Sequence, residues 1–274
     1  MHPGYSAAHY RKGDNMKYFT TSLCVLSLSL LFFGLVIIAC DEEKDGRGSN
    51  ITGTCGDDMV LVQADPDLGV MNDFCMDRYE ASRADATADN QGSDSSIAQS
   101  KAGVIPWNVY PMSTAVLETF RSACEAAGKR LCTQDEWFSV CTGTERNNYV
   151  WGDTFDPLIC NCVDSFCADL CLAEGIPESE CDTDTGCGYY YFYEGYTVFH
   201  VVPTGQFAGC VSGGGVYDLC GNVCEVVLST EDARGYEIRG GAFNDASAFL
   251  RLKCSFNANW QDLYAGFRCC SDAE

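Results

Sequence analysis

The most pronounced apolar run of the chain lies near its N-terminus, between residues 23 and 39. A run of this length predicts either a transmembrane helix or the core of a signal peptide. The run ends in Ile37-Ile38-Ala39-Cys40, and acidic residues follow directly. Two aliphatic residues, a small residue and a cysteine are typical of a bacterial lipoprotein signal. In such a signal the Cys40 thiol receives a diacylglycerol, and cleavage makes Cys40 the new N-terminus.

Met16 is a better start for this signal than Met1, because Met16-Lys17 places a short basic region directly before the apolar core. Residues 1–40 are therefore predicted to be a lipoprotein signal peptide. Residues 41–54 are rich in Asp, Glu, Gly, Ser and Asn, which is typical of a flexible tether. An uncleaved membrane anchor is the alternative interpretation. Both interpretations place the remaining chain outside the cytoplasm, on a bacterial cell envelope, facing the periplasm or the cell surface.

Beyond the tether, the pattern of apolar positions predicts one strand and two helices, followed by a long region without regular periodicity. The strand covers residues 59–62. Ser113 caps a first helix that runs through Ala127, with apolar residues at helical spacing. Thr133-Gln134-Asp135-Glu136 has the form of a capping box and opens a second helix. Glycines and aromatic residues dominate after that, and predict short strands and long loops in an α+β domain over residues 55–274.

Composition narrows the class of partner and the compartment. The chain has 274 residues, a formal net charge of −22 and 19 cysteines. Its acidity argues against nucleic acid as a partner, because phosphate binding needs clusters of Lys and Arg. Loss of the signal removes Cys24 and commits Cys40 to lipid, so 17 cysteines remain in the exported part. In an oxidising compartment most should form disulfides, and the odd number leaves at least one free or paired between molecules.

Six of these cysteines lie within residues 160–187, in the pattern C-x-C-x4-C-x3-C-x9-C-x5-C. A metal cluster and a disulfide-stapled insertion are the two interpretations of such a segment. Predicted export, the irregular spacing and the lack of a neighbouring histidine favour disulfides. Six cysteines allow 15 pairings, so the spacing does not predict the connectivity.

Five segments between residues 128 and 269 carry short motifs that are specific when taken together. These segments are Gly128-Lys129-Arg130-Leu131-Cys132-Thr133 with Glu136-Trp137, Tyr149-Val150-Trp151-Gly152, Gly215 to Glu225, Arg239-Gly240-Gly241-Ala242-Phe243, and Gly266-Phe267-Arg268-Cys269. In this order and spacing they resemble the sulfatase-modifying factor, or formylglycine-generating enzyme, family. The resemblance covers about residues 56–271. It implies the compact, loop-rich variant of the C-type lectin fold that this family has, stapled here by disulfides.

The resemblance implies a site for redox chemistry, but the residues of that site differ. The name-giving member of the family oxidises a protein cysteine to formylglycine with oxygen and a copper ion that two cysteines hold. The matching positions here are Asp245 and Leu250. Copper(I) needs soft thiolate ligands, which neither residue supplies. Cys254 lies three residues further on and would make only one displaced thiol. A second branch of the family uses an iron held by three histidines, whereas the exported part has only His200. We therefore expect neither copper nor iron.

The resemblance also implies calcium. In this family the region around Gly221 wraps a calcium ion with backbone carbonyls and carboxylates, which are hard oxygen ligands. The matching positions of this first site are Asp218, Leu219, Gly221, Val223 and Glu225. A second calcium site of the family would begin at Asn161 and Cys162, with an acidic partner among Asp182, Asp184 and Glu194.

These features favour a lipid-anchored, calcium-stabilised binding or scaffold module without catalytic activity. Its partner would be a protein or a glycan of the cell envelope. The family's substrate groove supplies the candidate ligand residues, which are Asn244, Asp245, Ser247, Asn257, Asn259, Trp260 and Tyr264. Two alternatives are a formylglycine-generating-type oxidoreductase that acts on protein cysteine through an atypical thiol site, and a purely structural envelope protein.

Overall fold

The computed structural model describes residues 53–167, 200–245, 250–258 and 264–274. The chain divides into two compact units, Met1–Gly48 and Ser49–Glu274, and every described residue belongs to the second. The predicted signal peptide with Cys40, the start at Met16 and most of the tether therefore lie outside the described residues. Within the described ranges, no helix combines the length and the apolar character that crossing a bilayer requires.

Short strands, two α-helices and one 3-10 helix (Pro66–Leu68) make up the regular structure of the described residues. The strands are β1 (Met59–Val62), β2 (Phe74–Asp77), β3 (Ala81–Ser82), β4 (Gln99–Ser100), β5 (Arg130–Leu131), β6 (Cys224–Leu228), β7 (Tyr236–Arg239), β8 (Asn257–Ala258), β9 (Ala265–Phe267) and β10 (Cys269–Asp272). The helices are α1 (Thr114–Ala126) and α2 (Gln134–Thr142). The predicted strand and both predicted helices are confirmed.

Local side-chain contacts account for where the helices begin. The Ser113 side chain accepts a hydrogen bond from the Val116 amide at the start of α1. Thr133 and Glu136 exchange the reciprocal hydrogen bonds of a capping box at the start of α2. Each cap satisfies backbone N–H groups that have no partner in the first turn of a helix. Capping therefore fixes both helix starts, as the sequence predicted.

Two four-stranded sheets form the centre of the domain. One has the strand order β1-β2-β10-β5 and is antiparallel throughout. The other has the order β8-β7-β6-β9, in which β6 and β9 run parallel. Strands β9 and β10 belong to different sheets and are separated only by Arg268. This residue therefore stands where the chain passes from one sheet to the other.

Strand β6 is buried on both faces, which explains why its sequence is almost continuously apolar. Val226 packs in the same core cluster as Leu117 and Phe120 of α1. Val227, on the opposite face, belongs to a second cluster with Trp137 of α2. Side chains alternate between the faces of a strand, so a strand between two layers needs apolar residues at successive positions. The charged exception is Glu225, which is also buried.

Disulfides connect segments that are far apart in the sequence. The pairs within the described residues are Cys55–Cys75, Cys124–Cys269, Cys132–Cys270, Cys141–Cys254 and Cys160–Cys210. Cys269 and Cys270 tie β10 to α1 and to the residue that follows β5. The predicted disulfide stapling is confirmed for these residues.

At least one disulfide connects the cysteine-rich segment, residues 160–187, to another part of the domain. Cys160 pairs with Cys210, which lies outside residues 160–187. Cys167 is also disulfide-bonded, whereas Cys162 is a buried free thiol. The other three cysteines of the segment lie outside the described residues. The domain is thus a mixture of small helices and short sheets that several disulfides hold together.

Candidate functional site

A buried ion pair joins three of the sequence motifs at the centre of the domain. The Arg268 guanidinium donates to both carboxylate oxygens of Glu225, with an Nε–Oε2 distance of 2.7 Å. Trp137 Nε1 also donates to Glu225 Oε2, at 2.8 Å. All three side chains are buried. The Glu-Trp, Gly-Asn and Gly-Phe-Arg motifs therefore meet at one hydrogen-bonded cluster.

Arg268 also supplies hydrogen bonds to two backbone carbonyls. Its Nη1 donates to the Asp77 carbonyl at 3.0 Å, and its Nη2 donates to the Tyr217 carbonyl at 2.8 Å. The planar, forked guanidinium suits this arrangement because its donors point in several fixed directions. Arg268 consequently ties β2 and β6, which belong to different sheets, to the loop that precedes β6.

Two further buried carboxyl groups surround this pair. Glu80 and Asp218 are both buried, and burial raises the pKa of each. The pKa of Asp218 rises to about 7, and that of Glu80 rises well above its ordinary value. Asp218 Oδ2 accepts a hydrogen bond from the Gly205 amide at 2.6 Å. One guanidinium, that of Arg268, thus faces three carboxyl groups. The raised pKa values of Glu80 and Asp218 favour their protonated forms, which reduces the excess negative charge of the site.

The first predicted calcium site coincides with this cluster. A calcium ion that Glu225 binds would have to displace Arg268 and Trp137 from the carboxylate oxygens. It would also lie beside a buried positive charge, which is unfavourable in a desolvated interior. These contacts argue against Glu225 as a calcium ligand. The carbonyls of Leu219, Gly221 and Val223 belong to the same segment, and calcium binding there stays a prediction.

The residues of the second predicted calcium site lie directly against the first segment. The Asn222 amide donates to the Asn161 carbonyl at 2.8 Å. The Asn161 side chain donates to the His200 carbonyl and to Asn222 Oδ1. The Cys162 carbonyl already accepts from Ser165. The three acidic residues predicted to complete this site lie outside the described residues.

Asn222 organises this region, although the sequence analysis did not single it out. Its Nδ2 donates to Glu80 Oε2 at 2.6 Å, and its Oδ1 accepts from the Val202 amide at 3.0 Å. Its φ of 54° lies in the left-handed region, which asparagine tolerates better than most residues. The Gly221-Asn222 dipeptide was the available signal for such a tight turn. Asn222 therefore connects the buried carboxyl of Glu80 to the backbone at Val202.

The two positions that match the family's copper cysteines have no thiols. One of them is buried and the other is exposed. Asp245 is only 1% exposed, and its carboxylate forms an ion pair with Arg251 at 2.8 Å. Asp245 Oδ2 also accepts from the Ala242 amide. Leu250 is 54% exposed. Asp245 is therefore an ion-pair residue of the interior, not an exposed residue of a ligand groove.

The Arg-Gly-Gly motif before this position has a packing role. A Cβ on Gly240 would lie 2.5 Å from the Leu219 carbonyl oxygen, and one on Gly241 would lie 2.8 Å from the Arg251 carbonyl oxygen. Both glycines also have a positive φ. Only glycine fits such close backbone approaches without strain. The two glycines therefore allow the backbone of the motif to pack directly against the backbone at Leu219 and at Arg251.

Three free thiols occur in the part of the chain that the structure describes, and all of them are buried. They are Cys162, Cys220 and Cys224. Burial raises the pKa of Cys162 and of Cys220 to about 12 and that of Cys224 well above its usual range. Protonated, inaccessible thiols are weak nucleophiles. Cys254, the displaced candidate, forms a disulfide with Cys141.

The predicted groove contains a stacked aromatic pair, in which one ring is exposed and the other is half-buried. Tyr264 stacks on Tyr110 with a centroid distance of 5.0 Å, and it also contacts Phe243. Tyr110 is 56% exposed. The sequence analysis named Tyr264 but missed Tyr110. Tyr110 is an isolated aromatic residue before a proline, and no motif around it indicated a role.

The other groove candidates are placed less closely together. Asn257 is exposed on β8, at the edge of its sheet. Asn244 is half-buried beside Asp245. Ser247, Asn259 and Trp260 lie outside the described residues. The described part of the predicted groove therefore offers one aromatic pair and one exposed amide.

Comparisons with known proteins give a family match and a similar solved structure. The family model described as "Sulfatase-modifying factor enzyme 1-like domain" matches residues 69–273. No curated protein matches the sequence. Among solved structures, the chain is similar to Treponema denticola variable protein 1, with 12% identity and a TM-score of 0.38. That match covers 78% of this chain and 94% of the other.

Proposed function

This chain belongs to the sulfatase-modifying factor family, and we propose that it is a binding or scaffold member of that family without oxidase activity. The observation that carries the proposal is the state of the copper positions. Asp245 is buried in an ion pair with Arg251, and Leu250 is exposed and has no metal-binding atom. The family's oxidase chemistry needs thiolates at both positions, as the resemblance implies.

No described thiol takes over the missing role. Cys224 lies close to the first copper position, with its sulfur 4.0 Å from Asp245 Oδ2. The Asp245 carboxylate raises the pKa of Cys224 further, because two negative charges at this distance repel each other. Copper(I) prefers soft thiolates to the hard carboxylate and protonated thiol present here. The geometry thus supports a scaffold that has lost the oxidase centre.

The proposed binding surface centres on Tyr110 and Tyr264. Tyrosine supplies a large, rigid contact area and a polar hydroxyl, which suits recognition of either glycans or protein. The stacked arrangement holds both rings in place before a ligand arrives, so little conformational entropy is lost on binding. The finer fold that we propose is the loop-rich C-type lectin variant, with this aromatic pair at its ligand-binding face.

Substituting alanine for Tyr110 is expected to weaken binding of the protein to bacterial cell envelopes by about tenfold or more. The matched control is Leu158→Ala, because Leu158 is also a large exposed apolar residue, at 75% exposure. The measurement is a saturation binding curve of the purified, labelled domain on isolated envelopes. Equal loss of binding in both variants, or in neither, would rule out the aromatic pair as the binding surface.

We further propose that the chain is exported and anchored to a membrane by lipid at Cys40. Substituting serine for Cys40 should abolish incorporation of a labelled fatty acid into the protein, because a serine cannot carry the diacylglycerol thioether. The matched control is Cys24→Ser, which lies inside the apolar run. If the wild type partitions into the detergent phase without incorporating the label, an uncleaved membrane helix anchors the protein instead.

A further inference from the structure

A cluster of three sulfur atoms lies at a different place from the copper positions. Cys141 near the end of α2, Cys220 in the loop before β6 and Cys254 come from three separate segments. Their sulfur atoms all lie within 4.8 Å of one another, and the sulfur of Cys220 lies 3.8 Å from that of Cys141. All three residues are buried. Cys141 and Cys254 form a disulfide, and Cys220 is a thiol.

The shape of this cluster distinguishes two possible roles. Thiol–disulfide exchange requires the attacking sulfur to lie in line with the bond that breaks. A linear arrangement would separate the sulfurs of Cys220 and Cys254 by about 6 Å, given a disulfide bond of about 2 Å. The distance between these sulfurs is at most 4.8 Å. The thiol therefore lies beside the disulfide, and the three sulfurs form a triangle.

A triangle of sulfurs is the arrangement in which a thiophilic metal ion is bound. Zinc–thiolate bonds are about 2.3 Å long, so three such bonds around one ion place the sulfurs about 4 Å apart. The distance of 3.8 Å between the sulfurs of Cys220 and Cys141 already meets this requirement. After reduction, Cys254 has only to move away from Cys141 by about 2 Å, which a side-chain rotation provides.

We propose that Cys141, Cys220 and Cys254 form a reduction-dependent site for a thiophilic divalent ion of the zinc class. A dithiol reductant supplies two electrons and two protons, the Cys141–Cys254 bond breaks, and two thiols form while the reductant closes to its own disulfide. The ion then binds three sulfurs and displaces two protons to solvent. Two thiolates balance the charge of the ion, so the buried complex is neutral.

The surroundings of the cluster favour this neutral form. All three ligand residues are buried, where a net charge is costly. Glu225 is paired with Arg268, so it is not a free ligand for the ion. A complex with three thiolates would carry a net negative charge in this interior. Two thiolates and one thiol around a divalent ion avoid that charge.

The test is cadmium binding to the folded domain after limited anaerobic reduction. Cd²⁺ alone serves as the probe, through its thiolate charge-transfer absorption, and alkylation with mass mapping identifies which cysteines are reduced. We expect one Cd²⁺ per protein, bound only when Cys141 and Cys254 are reduced. Cys220→Ala should weaken binding about 100-fold, because one of three metal–sulfur bonds is lost. Cys162→Ala, which removes a buried thiol elsewhere, should leave the affinity unchanged.

Three outcomes would overturn the proposal. One is equal Cd²⁺ affinity in the wild type and in the Cys220 variant. Another is the absence of charge-transfer absorption in a folded protein whose mapped Cys141 and Cys254 are reduced. The third is a circular dichroism signal that disappears before the Cys141–Cys254 disulfide opens, because the site would then not exist in the folded protein. None of these results depends on whether the domain is an oxidase.

Discussion

Substituting methionine for Arg268 is expected to lower the free energy of unfolding by about 3–5 kcal/mol. The substitution removes the guanidinium that pairs with Glu225 and leaves that carboxylate buried with Glu80 and Asp218. It also leaves the carbonyls of Asp77 and Tyr217 without the hydrogen bonds that Arg268 donates. An uncompensated buried charge costs far more than the ion pair contributes over an apolar pair of the same size. The loss should appear as a lower midpoint of urea denaturation.

The matched control is the double variant Arg268→Met with Glu225→Gln, which removes both charges of the pair. It should be more stable than the Arg268 variant alone, because the buried carboxylate is gone. A double variant that is less stable than Arg268→Met would contradict this explanation.

If a calcium ion were bound at the same cluster, EDTA would lower the melting temperature of the wild type. We expect no such effect through Glu225, because Arg268 occupies its oxygens.

Loss of the Cys124–Cys269 disulfide should destabilise the domain by about 3 kcal/mol. The bond spans 145 residues and ties α1 to β10, but Cys132–Cys270 already joins neighbouring positions in the unfolded chain, so Cys124–Cys269 closes an additional loop of only about 10 residues. The measurement is urea denaturation of Cys124→Ala with Cys269→Ala.

Cys55–Cys75, which spans 20 residues, is the matched control pair. Its removal should cost slightly more, by about 0.6 kcal/mol, since its loop is the longer one and the entropic term grows with the logarithm of loop length. A loss for Cys124–Cys269 that exceeds the loss for Cys55–Cys75 by about 2 kcal/mol would show that packing of the buried sulfurs, and not loop closure, dominates.

The helices and the first strand were predictable because their signals are local. A capping box within four residues and apolar residues at helical spacing determine α2 wherever the rest of the chain lies. The strands of two to five residues carry too few positions for a period to show. Their pairing also joins distant segments, such as β10 with β2, which no local pattern reveals.

The motifs predicted which residues matter better than they predicted what each residue does. Glu225 fits a calcium ligand by its position in the motif, but its partner Arg268 lies 43 residues away and becomes visible only in the folded chain. Asp245 likewise fits an exposed groove residue until Arg251 and burial are seen. Ion pairs between distant segments depend on tertiary packing, and one sequence does not contain that information.

The most direct test of the account is an activity measurement on the purified domain supplied with copper and oxygen. The substrate is a peptide that contains the cysteine target of the family's oxidases, and a hydrazine probe quantifies the aldehyde product. A family member with both copper cysteines serves as the positive control. We predict no aldehyde above the level without protein, because Asp245 and Leu250 cannot bind Cu(I). More than one aldehyde per protein molecule would contradict the assignment as a binding or scaffold module.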